Sequence, residues 1–189
     1  MRTNRNLITV SVVLVLTGTG FSQEEARSKP SFTVAAGAER VEFNSGVPMP
    51  VTLTMTNTSD RDLRYSVFWK RCPPPIEHLS ATMRQMQVLL YDSEGNLVPL
   101  TQYGASVQGR TGPVAIPPDA ERRQGYGCGG SGTLGILKPG ESLIEKADLA
   151  KEFDIKKPGR YTVRAQRLDQ ANEAVVKAEA VTVTLTAVQ

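Results

Sequence analysis

The sequence predicts an all-β protein, folded as an antiparallel β-sandwich that carries one long loop insertion rich in glycine and proline. Three observations support this fold class. Apolar residues recur at every second position in several short stretches, turn-forming residues separate those stretches, and no long segment after residue 22 has the 3.6-residue apolar period of a helix. Short strands at such spacing usually pack as two sheets around one core.

The N-terminal residues are typical of an export signal. Two arginines precede an apolar run of 10 residues, Leu7 to Leu16, and small residues follow it before Gln23. The run is too short to span a bilayer, which takes about 20 residues. We therefore expect residues 1–22 to be a signal peptide, 23–30 a flexible lead-in and 31–189 a single domain, with no membrane span in the mature chain.

The charge of the mature chain excludes one class of partner. The full sequence has 22 basic and 19 acidic residues, and two of the basic ones lie in the signal, so the mature chain has a net charge of +1. Scattered charges with so small an excess give no surface expected for nucleic acid. No cysteine lies near the cleavage position to carry a lipid anchor. We expect the protein in the bacterial periplasm or outside the cell.

Four stretches show the strand alternation most clearly: "PVTLTMTNTSD", "LRYSVFW", "QMQVLLYDSEGNLVPL" and "AVTVTLTAV". Their apolar side chains are expected to face the core, while the threonines between them fit a pleated surface and keep their hydroxyls in water. Trp69 follows the apolar side of the second stretch and is predicted to be a core residue. Before the last stretch, "DLAKEF" predicts one helical turn with Asp148 as its N-cap and with Leu149 and Phe153 facing inward.

The stretch "KKPGRYTV" predicts a sharp corner that closes the fold. Pro158 fixes its φ angle and has no N–H, and Gly159 can adopt the backbone angles that a tight corner requires. Tyr161 then begins a strand with its ring toward the core. A tyrosine after a corner, with its hydroxyl bonded back to the main chain, is the tyrosine corner of immunoglobulin-like sandwiches. These three residues are therefore predicted to have a structural role.

The order of the turn motifs resembles the immunoglobulin-like domains of bacterial secreted proteins, and among them the BsuPI-type domains named after a proteinase inhibitor. The motifs are an N-x-S-D turn at Asn57, a D-x-x-G hairpin at Asp92, a P-G-E turn at Pro139 and a P-G-x-Y strand start at Pro158. The resemblance covers residues 31–187 apart from the insertion. It implies the sandwich fold and raises proteinase inhibition as an alternative function, to which it assigns no residue.

Cys72 and Cys128 are the two cysteines of the chain. In an oxidising compartment an even pair commonly forms one disulfide, and two free thiols remain the alternative. A disulfide here would join the proline-rich segment after Cys72 to the glycine-rich insertion. Because the chain has one histidine, His78, a structural zinc site with four ligands is not expected, and no cofactor is expected either.

The insertion, Gln102 to Gly132, is the stretch that the fold explains least. It holds eight glycines and three prolines in 31 residues, and loops of more than about 15 residues are usually functional or disordered. One interpretation is a surface loop without a binding role. The other is a recognition loop that offers four side chains of the types enriched at binding hot spots. They are Arg110, Arg122, Arg123 and Tyr126.

Catalytic motifs in the sequence are incomplete. The glycines between Gly125 and Gly130 match G-x-G-x-x-G, but no helix-forming segment follows them to bind a phosphate. Ser131 lacks the second glycine of a nucleophile elbow, and His78 has no clear orienting partner. We therefore predict that the protein is not an enzyme, with a hydrolase as the weakest alternative.

The expected function is that of an exported, non-catalytic immunoglobulin-like module that binds a protein or an envelope component through its loop end. Proteinase inhibition is one alternative. Another is a structural accessory subunit of an envelope complex, in which the threonine-rich strand Val181 to Thr186 would add to the edge of a neighbour's sheet. The sequence does not define the oligomeric state.

Overall fold

A computed structural model describes residues 29–71, 81–108 and 129–187 of the chain. The described residues form eleven strands and two short helices. In chain order the elements are β1 (Phe32–Ala38), β2 (Glu42–Asn44), β3 (Pro50–Asn57), β4 (Leu63–Arg71), β5 (Ala81–Met83), β6 (Gln87–Tyr91), α1 (Gln102–Gln108), β7 (Gly129–Leu137), β8 (Ser142–Asp148), α2 (Leu149–Glu152), β9 (Gly159–Asp169), β10 (Ala174–Lys177) and β11 (Val181–Thr186).

The strands form three sheets in which neighbours are antiparallel, apart from one parallel pair. The first sheet has the order β1-β3-β8. In the second sheet β9 is central, with β6 on one side and with β10 and β11 pairing to successive parts of its other side. Strand β2 joins β11 in parallel at the edge of this sheet. The third sheet has the order β5-β4-β7.

The first two sheets enclose one core, so the predicted all-β antiparallel sandwich is confirmed. Val51, Leu53 and Met55 of β3 are fully buried, whereas the threonines between them lie on the other side of the strand. Val163 of β9 and Val183 of β11 are fully buried in the same cluster. The alternation in the sequence therefore describes the inner faces of these strands correctly.

Helix α2 is the single turn that the sequence predicts. Asp148 is its N-cap, and its Oδ1 accepts a hydrogen bond from the backbone N–H of Ala150 at 3.2 Å. Leu149 and Phe153 are both buried in the core. The same Oδ1 accepts a hydrogen bond from the backbone N–H of Met49 at 3.0 Å. One carboxylate thus starts the helix and attaches it to the segment before β3.

The corner before β9 is held by Tyr161. Its ring is buried, and its hydroxyl donates a hydrogen bond to the carbonyl oxygen of Lys157 at 2.5 Å. Gly159 has a φ angle of 154°, in a region that side chains rarely allow. Burial raises the pKa of Tyr161. Together with Pro158, which lies between Lys157 and Gly159, these residues shape the chain reversal, which is a structural role.

The insertion is narrower than the predicted range Gln102–Gly132. Its first seven residues form α1, and Gly129 to Gly132 already belong to β7. Helix α1 lies so close to α2 that a Cβ atom at Gly104 would overlap the carbonyl oxygen of Glu152. Gly104 therefore permits close packing of two helices. The glycine content led to the prediction of a loop. Glycines are common in flexible loops, but they also occur where two backbones pack closely, and the content does not distinguish the two cases.

The prediction that Trp69 is a core residue is wrong, since its side chain is 43% exposed. Strand β4 extends beyond the core. Leu63 and Tyr65 at its start pack against the core, while Trp69 has Thr82 of β5 and Ser131 of β7 as its cross-strand partners. The alternation correctly groups these side chains but does not show where the core ends.

The final strand, β11, has strand partners on both sides over only part of its length. Strand β11 pairs with β9 over Val181–Leu185 and with β2 over Thr184–Thr186. Its last residues therefore have strands on both sides within their own sheet. Among the described strands Val181–Val183 pair with β9 alone, so this part of the predicted segment Val181 to Thr186 is where the accessory-subunit interpretation could add a neighbour's strand.

Candidate functional site

The residues predicted to bind a partner or to form a disulfide lie outside the described part of the chain, as does His78. They are Arg110, Arg122, Arg123 and Tyr126, together with Cys72 and Cys128. The structure therefore does not test the predictions made for these residues. The described residues beside those segments do define a surface, which is the sheet β5-β4-β7.

The described ends of three strands meet at one end of this sheet. Arg71, the last residue of β4, is the cross-strand partner of Gly129, the first residue of β7. Lys70 is likewise the partner of Ala81, the first residue of β5. Residues 72–80 therefore leave and rejoin the described chain at this end of the sheet, and residues 109–128, which follow α1, rejoin it there at Gly129.

Aromatic rings of β4 cover the glycines of β7. A Cβ atom at Gly130 would meet the ring of Phe68 more closely than real side chains allow, and the same ring is near the position of a Cβ at Gly132. The ring of Tyr65 occupies the space above Gly135 in the same way. Strands rich in glycine are weak on their own, so β7 depends on the packing of these two rings for its place in the sheet.

Three exposed apolar side chains lie together on one face of this sheet. Leu134 and Ile136 alternate along β7, and Phe68 shares their face because it is the cross-strand partner of Gly132. The side chains of Phe68, Leu134 and Ile136 are 39%, 69% and 54% exposed. We call these three residues the apolar cluster. Neighbouring exposed apolar side chains are typical of protein-binding surfaces.

The charges of the β5-β4-β7 sheet are all positive. Arg64, Lys70 and Arg71 lie on β4, and the three strands contain no acidic residue. The ammonium group of Lys70 donates a hydrogen bond to Oγ of Ser106 in α1 at 3.2 Å, whereas Arg64 and Arg71 are exposed. A surface of this composition favours an acidic partner.

Gln85 connects this sheet to both sheets of the sandwich. Its side-chain amide donates a hydrogen bond to the carbonyl oxygen of Ser66 in β4 at 2.5 Å. Its backbone N–H and that of Met86 donate to Oε2 of Glu145 in β8 at 3.0 and 3.1 Å. Nη1 of Arg167 in β9 donates to both the carbonyl oxygen and Oε1 of Gln85 at 3.0 Å. The position of β4 is therefore fixed relative to the core.

Burial changes the proton affinity of both charged groups around Gln85. It raises the pKa of Glu145, and the backbone hydrogen bonds and nearby arginines offset this shift only in part. It lowers the pKa of Arg167, and the carboxylates of Glu145 and Asp169 oppose that shift. Both groups are held in the hydrogen bonds described above, so these shifts belong to a structural clamp between sheets.

A second buried network holds α1 in place. Glu152 of α2 is 2% exposed and forms an ion pair with Arg84, which follows β5. The side-chain amide of Gln108 donates to Oε2 of Glu152 at 3.0 Å, and its oxygen accepts from the backbone N–H of Val88 at 2.7 Å. Removing Arg84 or Glu152 would leave the other charge buried without its partner. The last residue of α1 is thereby fixed to both α2 and β6.

The catalytic candidates of the sequence are not assembled into a site by the described residues. Ser131 lies in β7 opposite Trp69. Gly130 lies in the same strand, so no helix N-terminus follows it to bind a phosphate. Within residues 29–71, 81–108 and 129–187, no group of three or more His, Cys, Asp or Glu side chains is placed to hold a metal ion. Over the same ranges, no helix has the length and apolar character needed to cross a membrane.

Comparison with known proteins gives no family for the chain. No family model matches the sequence, and no curated protein matches it. Membership of the BsuPI-type family is therefore not confirmed. Similar solved structures include a β-glucosidase from Erythrobacter marinus, with 16% identity over 83% of this chain and 16% of that chain and a TM-score of 0.39.

Two smaller structures are similar over most of their own length. The CARDB domain of the PF1109 protein from Pyrococcus furiosus has 12% identity over 83% of this chain and 89% of that chain, with a TM-score of 0.38. BslA, a bacterial hydrophobin, has 15% identity over 84% of this chain and 97% of that chain, with a TM-score of 0.33. Likeness at this level of identity concerns the fold alone.

Proposed function

We propose that the chain is an exported, non-catalytic immunoglobulin-like module that binds a protein, either free or as a component of the cell envelope, through its β5-β4-β7 sheet. The observation that carries this proposal is the apolar cluster. Phe68, Leu134 and Ile136 are exposed side by side on a sheet that has positive charges and no acidic residue.

The exposed side chains offer a substantial free energy of binding. Fully burying a leucine or isoleucine side chain contributes about 1.5–3 kcal/mol, and more than half of Leu134 and of Ile136 is exposed. Covering both side chains would therefore contribute on the order of 2–3 kcal/mol. Trp69, exposed on the opposite face of the same sheet, belongs to a residue type enriched at binding hot spots.

The β5-β4-β7 sheet is also ordered in the unbound protein. The bonds of Gln85 to β4, β8 and β9 connect the sheet to the sandwich. Aromatic packing by Tyr65 and Phe68 orders the glycine-rich β7. A surface that is already ordered loses less conformational entropy on binding, which supports a recognition role for this sheet.

The test is affinity capture of envelope and culture-medium proteins on the mature chain, with two matched variants. The first variant carries Leu134→Thr and Ile136→Thr. The control carries Ile144→Thr, because Ile144 is 63% exposed on a strand of the first sheet. Circular dichroism and urea unfolding would establish that both variants are folded before capture.

A protein retained by the wild type and the control, and lost by the double variant, would support the proposal. Capture of a protease with this pattern would identify the inhibitory alternative. Equal retention of the same proteins by all three chains would contradict the assignment of the binding surface, and capture of no protein would contradict the binding function itself.

A further inference from the structure

We infer that β7 is a strand-addition site, and that its ligand is an extended segment of another protein with apolar residues in the middle and acidic residues at both ends. This inference rests on the proposed function and specifies its partner. Three properties of the described residues support it: the exposed edge of β7, the apolar cluster, and the positions of the cations on β4.

The edge of β7 lacks the features that normally prevent strand addition. Among the described residues β7 pairs only with β4, so the backbone N–H and C=O groups of its other side have no strand partner there. Its nine residues contain neither a charged residue nor a proline, although native edges usually carry them. Strand β8, an edge of the first sheet, has Glu145, Lys146 and Asp148. Charged side chains therefore protect the edge at β8 against strand addition, whereas the edge at β7 has no such protection.

The apolar cluster sets the side-chain pattern of the added strand. Side chains of neighbouring strands lie side by side on each face of a sheet, and alternate residues share a face. Leu134 and Ile136 lie on one face of β7, and both side chains are more than half exposed. A partner segment with apolar residues at every second position would place them beside these two side chains. Backbone bonds to β7 would provide affinity, and this alternation would provide register.

The cations of β4 set the charge of the added strand and argue against a second copy of this chain. Arg64 lies opposite Ile136, and Arg71 lies opposite Gly129, near the two ends of β7. At roughly 3.3 Å per residue they are about 23 Å apart along the strand, and an added strand would be about 10 Å from β4. Because these two arginines are an odd number of residues apart, they lie on opposite faces of the sheet, Arg64 on the face of the apolar cluster and Arg71 on the other. One acidic side chain at each end of the added strand, each on a different face, can meet them. Pairing β7 with its own copy would instead bring together two sheets that both lack acidic residues.

The test uses the mature chain and defined synthetic peptides. The probe is a fluorescently labelled eight-residue peptide with glutamate at both ends and alternating threonine and valine between them, so that its two glutamates lie on opposite faces, as Arg64 and Arg71 do. One comparison peptide has lysine at both ends. Another is the acidic peptide with N-methyl groups on alternate amides, which removes the backbone donors that strand addition requires. Fluorescence anisotropy gives the affinities, and hydrogen exchange followed by mass spectrometry shows where the peptide binds.

We expect the acidic peptide to bind roughly tenfold more tightly than the lysine peptide, since each exposed ion pair contributes up to about fivefold. N-methylation should abolish binding, and the acidic peptide should slow exchange in β7 but not in β8. Leu134→Asp should weaken binding of the acidic peptide at least about tenfold, because it introduces repulsion at the edge and removes an apolar contact. The matched variant Ile144→Asp should leave its affinity unchanged.

Several results would overturn the inference. These are equal binding of the three peptides, binding without protection of β7, no binding of the acidic peptide, or a dimer in sedimentation that Leu134→Asp dissociates and Ile144→Asp does not. The proposed function has a separate outcome. If the peptides fail while the Leu134→Thr, Ile136→Thr variant still loses its captured protein, binding at this sheet stands and strand addition does not.

Discussion

Two substitutions of Glu145 test whether its site requires a hydrogen-bond acceptor or a negative charge. Glu145 and Arg167 both contact Gln85, and these contacts connect the sheets. Oε2 of this carboxylate accepts hydrogen bonds from two consecutive backbone N–H groups, those of Gln85 and Met86. Met86 is fully buried. Glu145→Ala would leave both donors without their acceptor. Glu145→Gln keeps one oxygen where Oε2 stands and removes the charge, but it puts an NH2 group in place of Oε1, which also accepts from the N–H of Gln85 at 2.9 Å.

The two substitutions should differ clearly in their effect on the free energy of unfolding. Leaving a buried donor unsatisfied costs about 1–3 kcal/mol, and water can reach the half-buried Gln85 more easily than Met86. We therefore expect Glu145→Ala to lose about 2–4 kcal/mol. Burial raises the pKa of Glu145, so its site disfavours the ionised form. A neutral amide avoids that penalty and keeps the bonds to Oε2 but loses the bond from Gln85 to Oε1. We therefore expect Glu145→Gln to lose about 1 kcal/mol, clearly less than Glu145→Ala.

Comparing the wild type with Glu145→Gln also predicts how the free energy of unfolding changes with pH. A carboxyl group whose pKa is raised on folding binds a proton more tightly in the native state, so its contribution to stability falls as pH rises. That fall begins near its ordinary pKa of 4.5 and ends above the folded pKa. The unfolding free energy of the wild type, minus that of Glu145→Gln, should therefore decrease as pH rises across this window.

Urea unfolding at a series of pH values, followed by circular dichroism, measures both effects. The difference between wild type and Glu145→Gln removes contributions from other groups. One of these is Asp169: burial opposes its ionisation, but hydrogen bonds from Ser31, Asn172 and Ala171 prevail and lower its pKa. Its contribution is lost as pH falls through that lowered pKa. A difference that increases with pH, or equal destabilisation by the amide and the alanine, would refute the reasoning.

Two further predictions concern the corner and the packing of the helices, and urea unfolding measures both. Tyr161→Phe should lower the unfolding free energy by about 1–1.5 kcal/mol because it removes the hydrogen bond to Lys157 and keeps the buried ring; an unchanged value would contradict this role. Gly104→Ala should lose about 1–3 kcal/mol because its Cβ overlaps the carbonyl of Glu152. Gly37→Ala, which has open space around the new Cβ, should change stability by less than about 0.5 kcal/mol, and an equal loss in both variants would remove close packing as the cause.

The sequence was informative where a local pattern and the burial of one face coincide. The alternation of Val51, Leu53 and Met55 matches three fully buried positions, because a strand over a core repeats every two residues. The cap at Asp148 was predictable for a similar reason, since one carboxylate beside a free N–H determines the start of a helical turn. In both cases the physics acts between residues close together in the chain.

The candidate site could not be predicted in the same way because its order depends on residues far away in sequence. Gly130 and Gly132 have no strand signal of their own, and the ring of Phe68 that covers them lies more than sixty positions earlier. Leu134 and Ile136 did carry a signal, the alternation before the turn at Pro139. That alternation shows that the two side chains share a face, but only the assembled sheets show that this face is left uncovered.

The predicted disulfide joins two cysteines that lie outside the described residues, directly beside a described pair of strand residues. Arg71 and Gly129 are cross-strand partners, and antiparallel partners have Cα atoms about 4.5–5.5 Å apart. Cys72 directly follows the first of these residues, and Cys128 directly precedes the second.

We therefore predict that the mature protein, purified without reductant and unfolded in urea, contains no thiol that reacts with an alkylating reagent. The bond would close a loop of 57 residues, so reduction should lower the unfolding free energy by about 4 kcal/mol in the chain-entropy account. A variant with Cys72→Ser and Cys128→Ser should match the reduced wild type and show no further change on reduction. Two alkylated cysteines in the unreduced protein would establish the free-thiol alternative. A disulfide without the stability difference would contradict the chain-entropy account for this loop, because native strand pairing cannot restrict the unfolded chain.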